Sequence, residues 1–319
     1  MKPRVAVVGA GEFGRNHVRI VKQSPRAELV AVVDTNAARA QEIAGAHGCP
    51  ALTDARELRG RADAAIVAVP TSAHADIGCA LLESGIDVLV EKPIATDLAS
   101  ADRLIHAAES NNRILQVGHL ERFNPAVMAI EGIVRLPLFF EIHRMSVFSP
   151  RSLDTDVVLD LMIHDLDILL ALVNREIEEI RAAGISVLTG KVDIANVRLQ
   201  FFGGCVANLT ASRVSTEKVR KLRLFQPNQY ISVDYGRQDA AMFSVGAERQ
   251  IAFRQLPVAK AEPLATQFGA FLDSVETREP PKLNGRAGRL SLGVALAILA
   301  KIEEHSRVVA QSLVSGWKP

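Results

Sequence analysis

Cysteine is scarce in this chain: Cys49, Cys79 and Cys205 are the only three. They are odd in number, far apart and without the close spacing of a metal motif. Neither a disulfide framework nor a zinc site is therefore expected, and a reducing, cytoplasmic compartment is. Excess charge is also missing. Lysines and arginines number 37 against 36 acids, a net charge of +1, which leaves no electrostatic footprint for nucleic acid or a membrane surface. Long apolar runs are absent: the best stretches, 290–299 and 167–173, are too short or too interrupted to span a bilayer. No apolar signal segment precedes the first strand-like run, Arg4 to Val8. There is no internal repeat, no low-complexity tract and no Pro- or Ser-rich linker. A cytosolic protein is expected. At 319 residues it is longer than one core usually holds, so two packed domains are expected.

The run Arg4-Val-Ala-Val-Val8 reads as a buried strand, and Gly9-Ala10-Gly11-Glu12-Phe13-Gly14 follows at once, opening a helix-like stretch to Lys22. Between a strand and a helix, G-x-G-x-x-G has a mechanism. Gly9 permits the tight turn, Gly11 lets a pyrophosphate approach the backbone, and Gly14 lets helix pack on strand. The helix N-terminus then offers N–H groups and a positive dipole to the phosphates, which brings Glu12 and Phe13 into the cofactor set. A second strand, Leu29 to Asp34, ends in an acid where such folds bind the adenosine ribose. A carboxylate there repels a 2′-phosphate, so Asp34 argues for NAD over NADP, with Arg39 expected on the exposed face of the next helix.

The alternation continues with a strand from Ala64 to Val69, whose tip Pro70-Thr71-Ser72-Ala73-His74 places Pro70, Thr71 and His74 in the cofactor set. Strand Asp87 to Glu91 runs into Glu91-Lys92-Pro93. Proline cannot extend the ladder, so Lys92 sits at the strand's carboxyl end, where open parallel sheets bind ligands. Glu91 and Lys92 are accordingly expected to reach the cofactor. A helix over 97–111 and a strand from Ile114 to Val117, tipped by Gly118-His119, complete a doubly wound parallel sheet, residues 1–122. Residues 123–319 read differently: a strand from Leu138 to Val147, a long helix from Asp156 to Val173, then strands over 179–188, 192–202, 206–214, 219–225, 230–234 and 250–256. Runs of strands without intervening helices indicate an α+β domain with a mostly antiparallel sheet, closed by helices over 264–276 and 286–305.

On a regular helix at about 100° per residue, Asp156, Asp160, His164 and Asp167 share an arc of roughly 80°, and Asp165 alone interrupts the apolar ground. Water-facing stripes usually carry Glu, Lys and Arg; short acids with a histidine suit a shaped pocket. Metal binding by Asp160, His164 and Asp167 lacks any supporting His or Cys cluster, so no metal is expected. With a nicotinamide to take the hydride, the protein must take a hydroxyl proton. His164 suits a general base near neutrality, Asp160 could orient it, and Lys92 could stabilise developing negative charge.

Together, Gly9-x-Gly11-x-x-Gly14, Asp34, Glu91-Lys92-Pro93 and Asp160-x-x-x-His164 resemble the Gfo/Idh/MocA oxidoreductases over nearly the whole chain. The resemblance implies a Rossmann domain, a C-terminal domain with an open antiparallel sheet, and NAD(P)-dependent oxidation of a sugar or polyol. It implies that Lys92, Asp160 and His164 are the catalytic set, and that homodimers or homotetramers form through the C-terminal sheet. Gly118-His119-x-Glu121-Arg122-Phe123-Asn124-Pro125, the segment Asp160 to Asp165 and the basic strand Lys218 to Arg223 are similar to the branch acting on UDP-N-acetylglucosamine. That likeness implies oxidation of the 3-hydroxyl to a ketone for lipid A precursors. A nucleotide sugar needs cations, for which Arg144, Arg213, Lys218, Arg220 and Arg223 are candidates, and His119, Arg122 and Asn124 could line a pocket, although Arg122 and Asn124 could equally cap a helix. A free-polyol dehydrogenase would use the same residues without the basic strand. A non-catalytic NAD sensor should have lost a member of the catalytic set, and none is lost.

Overall fold

A computed structural model describes residues 2–149, 155–246 and 248–316, the last five by backbone only. By contact the chain divides into two units: residues 1–120 with 262–292, and 121–261 with 293–319. This differs from the division into 1–122 and 123–319, because the segment Glu262–Leu292 returns to the first unit. Its helix buries Phe268, Phe271 and Leu272 against the first unit's apolar core.

The first unit contains β1 (Arg4–Val8), α1 (Glu12–Gln23), β2 (Glu28–Val33), α2 (Ala37–His47), β3 (Ala51–Leu52), β4 (Ala64–Val67), α3 (His74–Glu83), β5 (Asp87–Glu91), α4 (Leu98–Ser110) and β6 (Leu115–Gly118). These form a 6-stranded sheet in the order β3-β2-β1-β4-β5-β6, every pair parallel. The order reverses between β1 and β4. In doubly wound sheets that switch point, at the strands' carboxyl ends, is where dinucleotides bind. Val5 to Val8, Ala64 to Val67 and Val88 to Val90 are all buried. Covered on both faces, they read in the sequence as unbroken apolar runs.

The second unit carries α5 (Pro125–Glu131), β7 (Phe139–Met145), a π turn at Val158–Met162, α6 (Ile163–Val173), β8 (Ile177–Ile185), β9 (Ile194–Phe201), β10 (Val206–Ser212), β11 (Val219–Gln226), β12 (Gln229–Asp234), β13 (Asp239–Val245) and β14 (Ile251–Gln255). Helix α7 (Pro263–Thr277) lies within the first unit's residues, and α8 (Gly285–Gly316) contributes residues to both. The second sheet is 8-stranded, in the order β14-β13-β12-β11-β7-β10-β9-β8. All its pairs are antiparallel except β7 with β10. Strands such as β9 alternate buried and exposed residues along their length. One face packs into a core with Val127, Ile163, Leu166 and Leu169.

Two elements depart from the sequence reading. Strand β13 was not anticipated, because its outer face is apolar as well and erases the two-residue alternation. Phe243 stacks there on Tyr230 at 5.5 Å and meets Phe253 at 5.0 Å. The helix expected over 156–173 is also not regular: its first part is the π turn, and α6 begins only at Ile163.

Candidate active site

The loop after β1 is built for a dinucleotide. Gly9 has φ +98°, and a Cβ there would lie 2.4 Å from the Ala68 carbonyl oxygen, against the end of β4. A Cβ on Gly14 would lie 1.7 Å from the Gly9 carbonyl oxygen, so α1 can seat on this turn only without a side chain. Gly11 is the N-cap of α1, with no side-chain cap and nothing within 4 Å of its Cβ position. An uncapped helix N-terminus behind an open glycine fits the pyrophosphate of a dinucleotide. Glu12 and Phe13 are exposed beside it. The Asp34 carboxylate is buried and fixed by two backbone donors, Ala10 N–H at 2.9 Å and Asn36 N–H at 2.8 Å. Arg39 lies exposed on α2, as expected, and its guanidinium also reaches Asp34 at 3.4 Å, partly offsetting that charge.

At the tip of β4, Pro70 is exposed and Thr71 half-buried. His74 is buried, with Nδ1 2.9 Å from the Pro93 carbonyl oxygen and Nε2 3.0 Å from that of Val69. Burial holds its pKa below the ordinary histidine value, against the opposing pull of those carbonyls. Glu91 is likewise turned inward. Its Oε1 lies 2.7 Å from Nε2 of the buried His17 on α1, and its carboxyl fills the space a side chain on Gly118 would need. Lys92, one residue on, is half-buried. His17 escaped the sequence reading, although a signal was there: with Gly14, Val18 and Val21 it shares the buried face of α1.

In the second unit the π turn changes the disposition of the acidic stripe. Such single turns are rare and frequently occur at functional sites. Asp156 leaves the stripe to accept a hydrogen bond from Val192 N–H at 2.8 Å. Asp160 is half-buried within the π turn, and His164 is buried in the first turn of α6. Asp167 is buried, its Oδ2 3.4 Å from Arg122 Nη1. Asp165, which interrupted the apolar ground of the wheel, holds Arg144 in a bidentate pair at 2.7 and 2.9 Å, and Arg144 also donates to Glu121 at 3.0 Å.

Residues 3–119 match the Gfo/Idh/MocA oxidoreductase family, NAD-binding Rossmann fold, and residues 129–228 match its C-terminal domain. The chain is 35% identical over 306 residues to the UDP-N-acetylglucosamine 3-dehydrogenase of Acidithiobacillus ferrooxidans, covering 94% of this chain and 97% of that one. A solved structure of that dehydrogenase has a TM-score of 0.90 at 34% identity, covering 95% of this chain and 99% of that one. The myo-inositol 2-dehydrogenase of Thermotoga maritima is 26% identical over 333 residues, 98% of this chain and 99% of that one.

The chain belongs to the Gfo/Idh/MocA family. It is an NAD-dependent oxidoreductase acting on a CH–OH group.

Within this family frame, several residues expected to touch substrate are committed elsewhere. Arg144 is fully buried. Burial pulls its pKa down, but the carboxylates of Asp165 and Glu121 outweigh burial and hold it above the ordinary arginine value. Arg213 is buried and donates to the Thr155 carbonyl. Asn124 caps α5 through Ala126 N–H at 3.1 Å and donates to Glu121 and to the Tyr235 carbonyl. His119 is buried 3.3 Å from Ser291 Oγ. Arg223 points to the sheet's outer face and pairs with Glu141 at 3.0 Å. Lys218 is exposed ahead of β11. Arg220 alternates with Arg223 on β11, so it lies on the covered face, half-exposed and 3.3 Å from Glu121.

Proposed function

We propose that this enzyme oxidises the 3-hydroxyl of UDP-N-acetylglucosamine to a ketone, with Lys92, Asp160 and His164 as its catalytic set. One observation carries the substrate: likeness to a UDP-N-acetylglucosamine 3-dehydrogenase covers 94% of this chain and 97% of that one. NAD, when bound, supplies the hydride acceptor. His164 takes the hydroxyl proton, Asp160 orients it from the π turn one turn earlier, and Lys92 stabilises the developing negative charge. The first unit holds NAD through Gly9, Gly11, Gly14 and Asp34. The second binds the sugar nucleotide, with Arg220 the best-placed cation for its diphosphate. The 3-keto sugar is then a substrate for an aminotransferase, which places the reaction among cytoplasmic steps toward lipid A with amide-linked acyl chains. The outer face of the 8-stranded sheet carries an aromatic ladder, Phe139, Phe225, Tyr230, Phe243 and Phe253, with successive centroids 4.9 to 5.9 Å apart. It is the face through which we infer that two or four copies associate.

A second reading, a free-polyol dehydrogenase, is favoured by the internal pairing of Arg144 and Arg213 and the outward turn of Arg223. A paired assay separates the two readings. NADH formation should be rapid with UDP-N-acetylglucosamine, and far slower with free N-acetylglucosamine, because the diphosphate supplies remote binding energy that positions the sugar carbon. Comparable rates with myo-inositol, or none with the nucleotide sugar, would establish the polyol reading instead.

Asp34 also sets an expectation for the cofactor. Calorimetric titration should show NADP binding at least about tenfold more weakly than NAD, roughly 1.4 kcal/mol. Arg39→Ala should widen the gap by removing the cation beside Asp34. Equal affinity for the two dinucleotides would show that Asp34 does not discriminate.

A further inference from the structure

Lys92 is bracketed by two buried histidines from different helices. On its N-terminal side, His17 of α1 reaches Glu91 at 2.7 Å, both side chains almost wholly out of solvent. On its C-terminal side, His74 at the start of α3 meets the Pro93 carbonyl at 2.9 Å. The Glu91 carboxyl is confined by more than that contact. β5 and β6 are in register with Glu91 opposite Gly118, and a Cβ on Gly118 would come within 2.9 Å of the carboxyl carbon. The carboxyl therefore occupies a slot with His17 on one side and a bare backbone on the other. His17 is itself fixed, because it lies one turn beyond Gly14, whose contact with Gly9 seats α1 on the cofactor loop.

We propose that His17 is a positioning residue. Through Glu91 it ties the strand tip bearing Lys92 to the helix whose N-terminus receives the dinucleotide phosphates, so that the amine is held in register with the cofactor cradle. This rests on the reading of Lys92 as a catalytic residue. The physical reason is that a strand ending in proline has no further ladder to hold it, and a catalytic side chain is only as well placed as the groups that lock its backbone. A displacement of about 1 Å can cost about a hundredfold in rate.

The test compares the full-length enzyme with His17→Ala, His17→Gln, Glu91→Ala, the double His17→Ala/Glu91→Ala variant, and Lys92→Met as control. Glutamine carries its amide nitrogen as many bonds from Cβ as the histidine Nε2, so it can restore the contact. With NAD and UDP-N-acetylglucosamine, His17→Ala should lower kcat about tenfold or more per folded molecule, with KM within about threefold and NAD affinity little changed. His17→Gln should recover most of the loss. The double variant should be no slower than the worse single one, because the two residues act as one unit. Hydrogen exchange of 88–95, followed by mass spectrometry, should quicken in His17→Ala and return toward normal in His17→Gln. That readout needs no turnover. Normal kcat and unchanged exchange in His17→Ala, beside an inactive Lys92→Met, would overturn the positioning role. An active Lys92→Met would instead remove the catalytic reading, and exchange alone would then decide whether the tether exists.

Discussion

Lys92→Met and His164→Ala should each lower turnover by about a hundredfold or more. The size follows from the two roles. A positioned general base contributes about 10²–10⁴ in rate, and one preorganised donor to a developing oxyanion contributes about 10²–10³. Methionine keeps most of the length of Lys92 and removes its charge, so the loss would report electrostatics rather than a hole. In His164→Ala, NAD affinity should change little, since the residues that fit the dinucleotide are Gly9, Gly11, Gly14 and Asp34, all in the first unit. Steady-state kinetics at saturating NAD, with cofactor binding measured separately, gives both numbers. Near-normal kcat in either variant, with substrate saturating, would show that another group moves the proton or meets the charge.

What could be read without the structure depended on whether a residue's role is set by near or distant neighbours. The cofactor loop was legible because all its constraints are local: Gly9 and Gly14 crowd each other within a single turn. The parallel strands were legible because burial on both faces leaves uninterrupted apolar runs such as Val5 to Val8. The π turn at Val158–Met162 was not, since residue type and a regular helical spacing do not distinguish it from an ordinary helix. Asp156 lies ahead of that turn, outside the helix, and accepts from Val192 N–H. Glu91 and Arg144 show the commoner difficulty. Their chemistry was evident, but Glu91 finds its partner 74 residues away in His17, and Arg144 finds its own 21 residues away in Asp165. Residue type says that a charge needs a partner; it does not say that the partner is protein rather than ligand. Asp165 gave the clearest warning, as the one carboxylate on the apolar side of the helical wheel.

That same carboxylate carries the second large expected effect, on stability. Arg144→Met should cost about 3–5 kcal/mol, the range for removing one member of a buried ion pair. Arg144 is the bidentate partner of Asp165, at 2.7 and 2.9 Å, and both side chains are nearly inaccessible. Without the guanidinium, Asp165 must stay charged in a dry site or take up a proton there, and either is costly. Glu121 is better protected, because Arg220 remains 3.3 Å away and Asn124 donates to it. The loss should therefore arise mainly at Asp165, and Arg144→Met/Asp165→Leu should recover most of it, since a buried pair replaced by apolar groups of similar volume is often neutral. Urea unfolding followed by far-ultraviolet circular dichroism measures both variants, as a shift of midpoint at constant slope. A single variant losing less than about 1 kcal/mol, or a double variant as unstable as the summed singles, would mean that the pair does not hold this part of the second unit together. Because His164 immediately precedes Asp165 on α6, kcat of the double variant adds a further reading. If stability returns while kcat stays low, the ion pair places His164 as well as stabilising the fold.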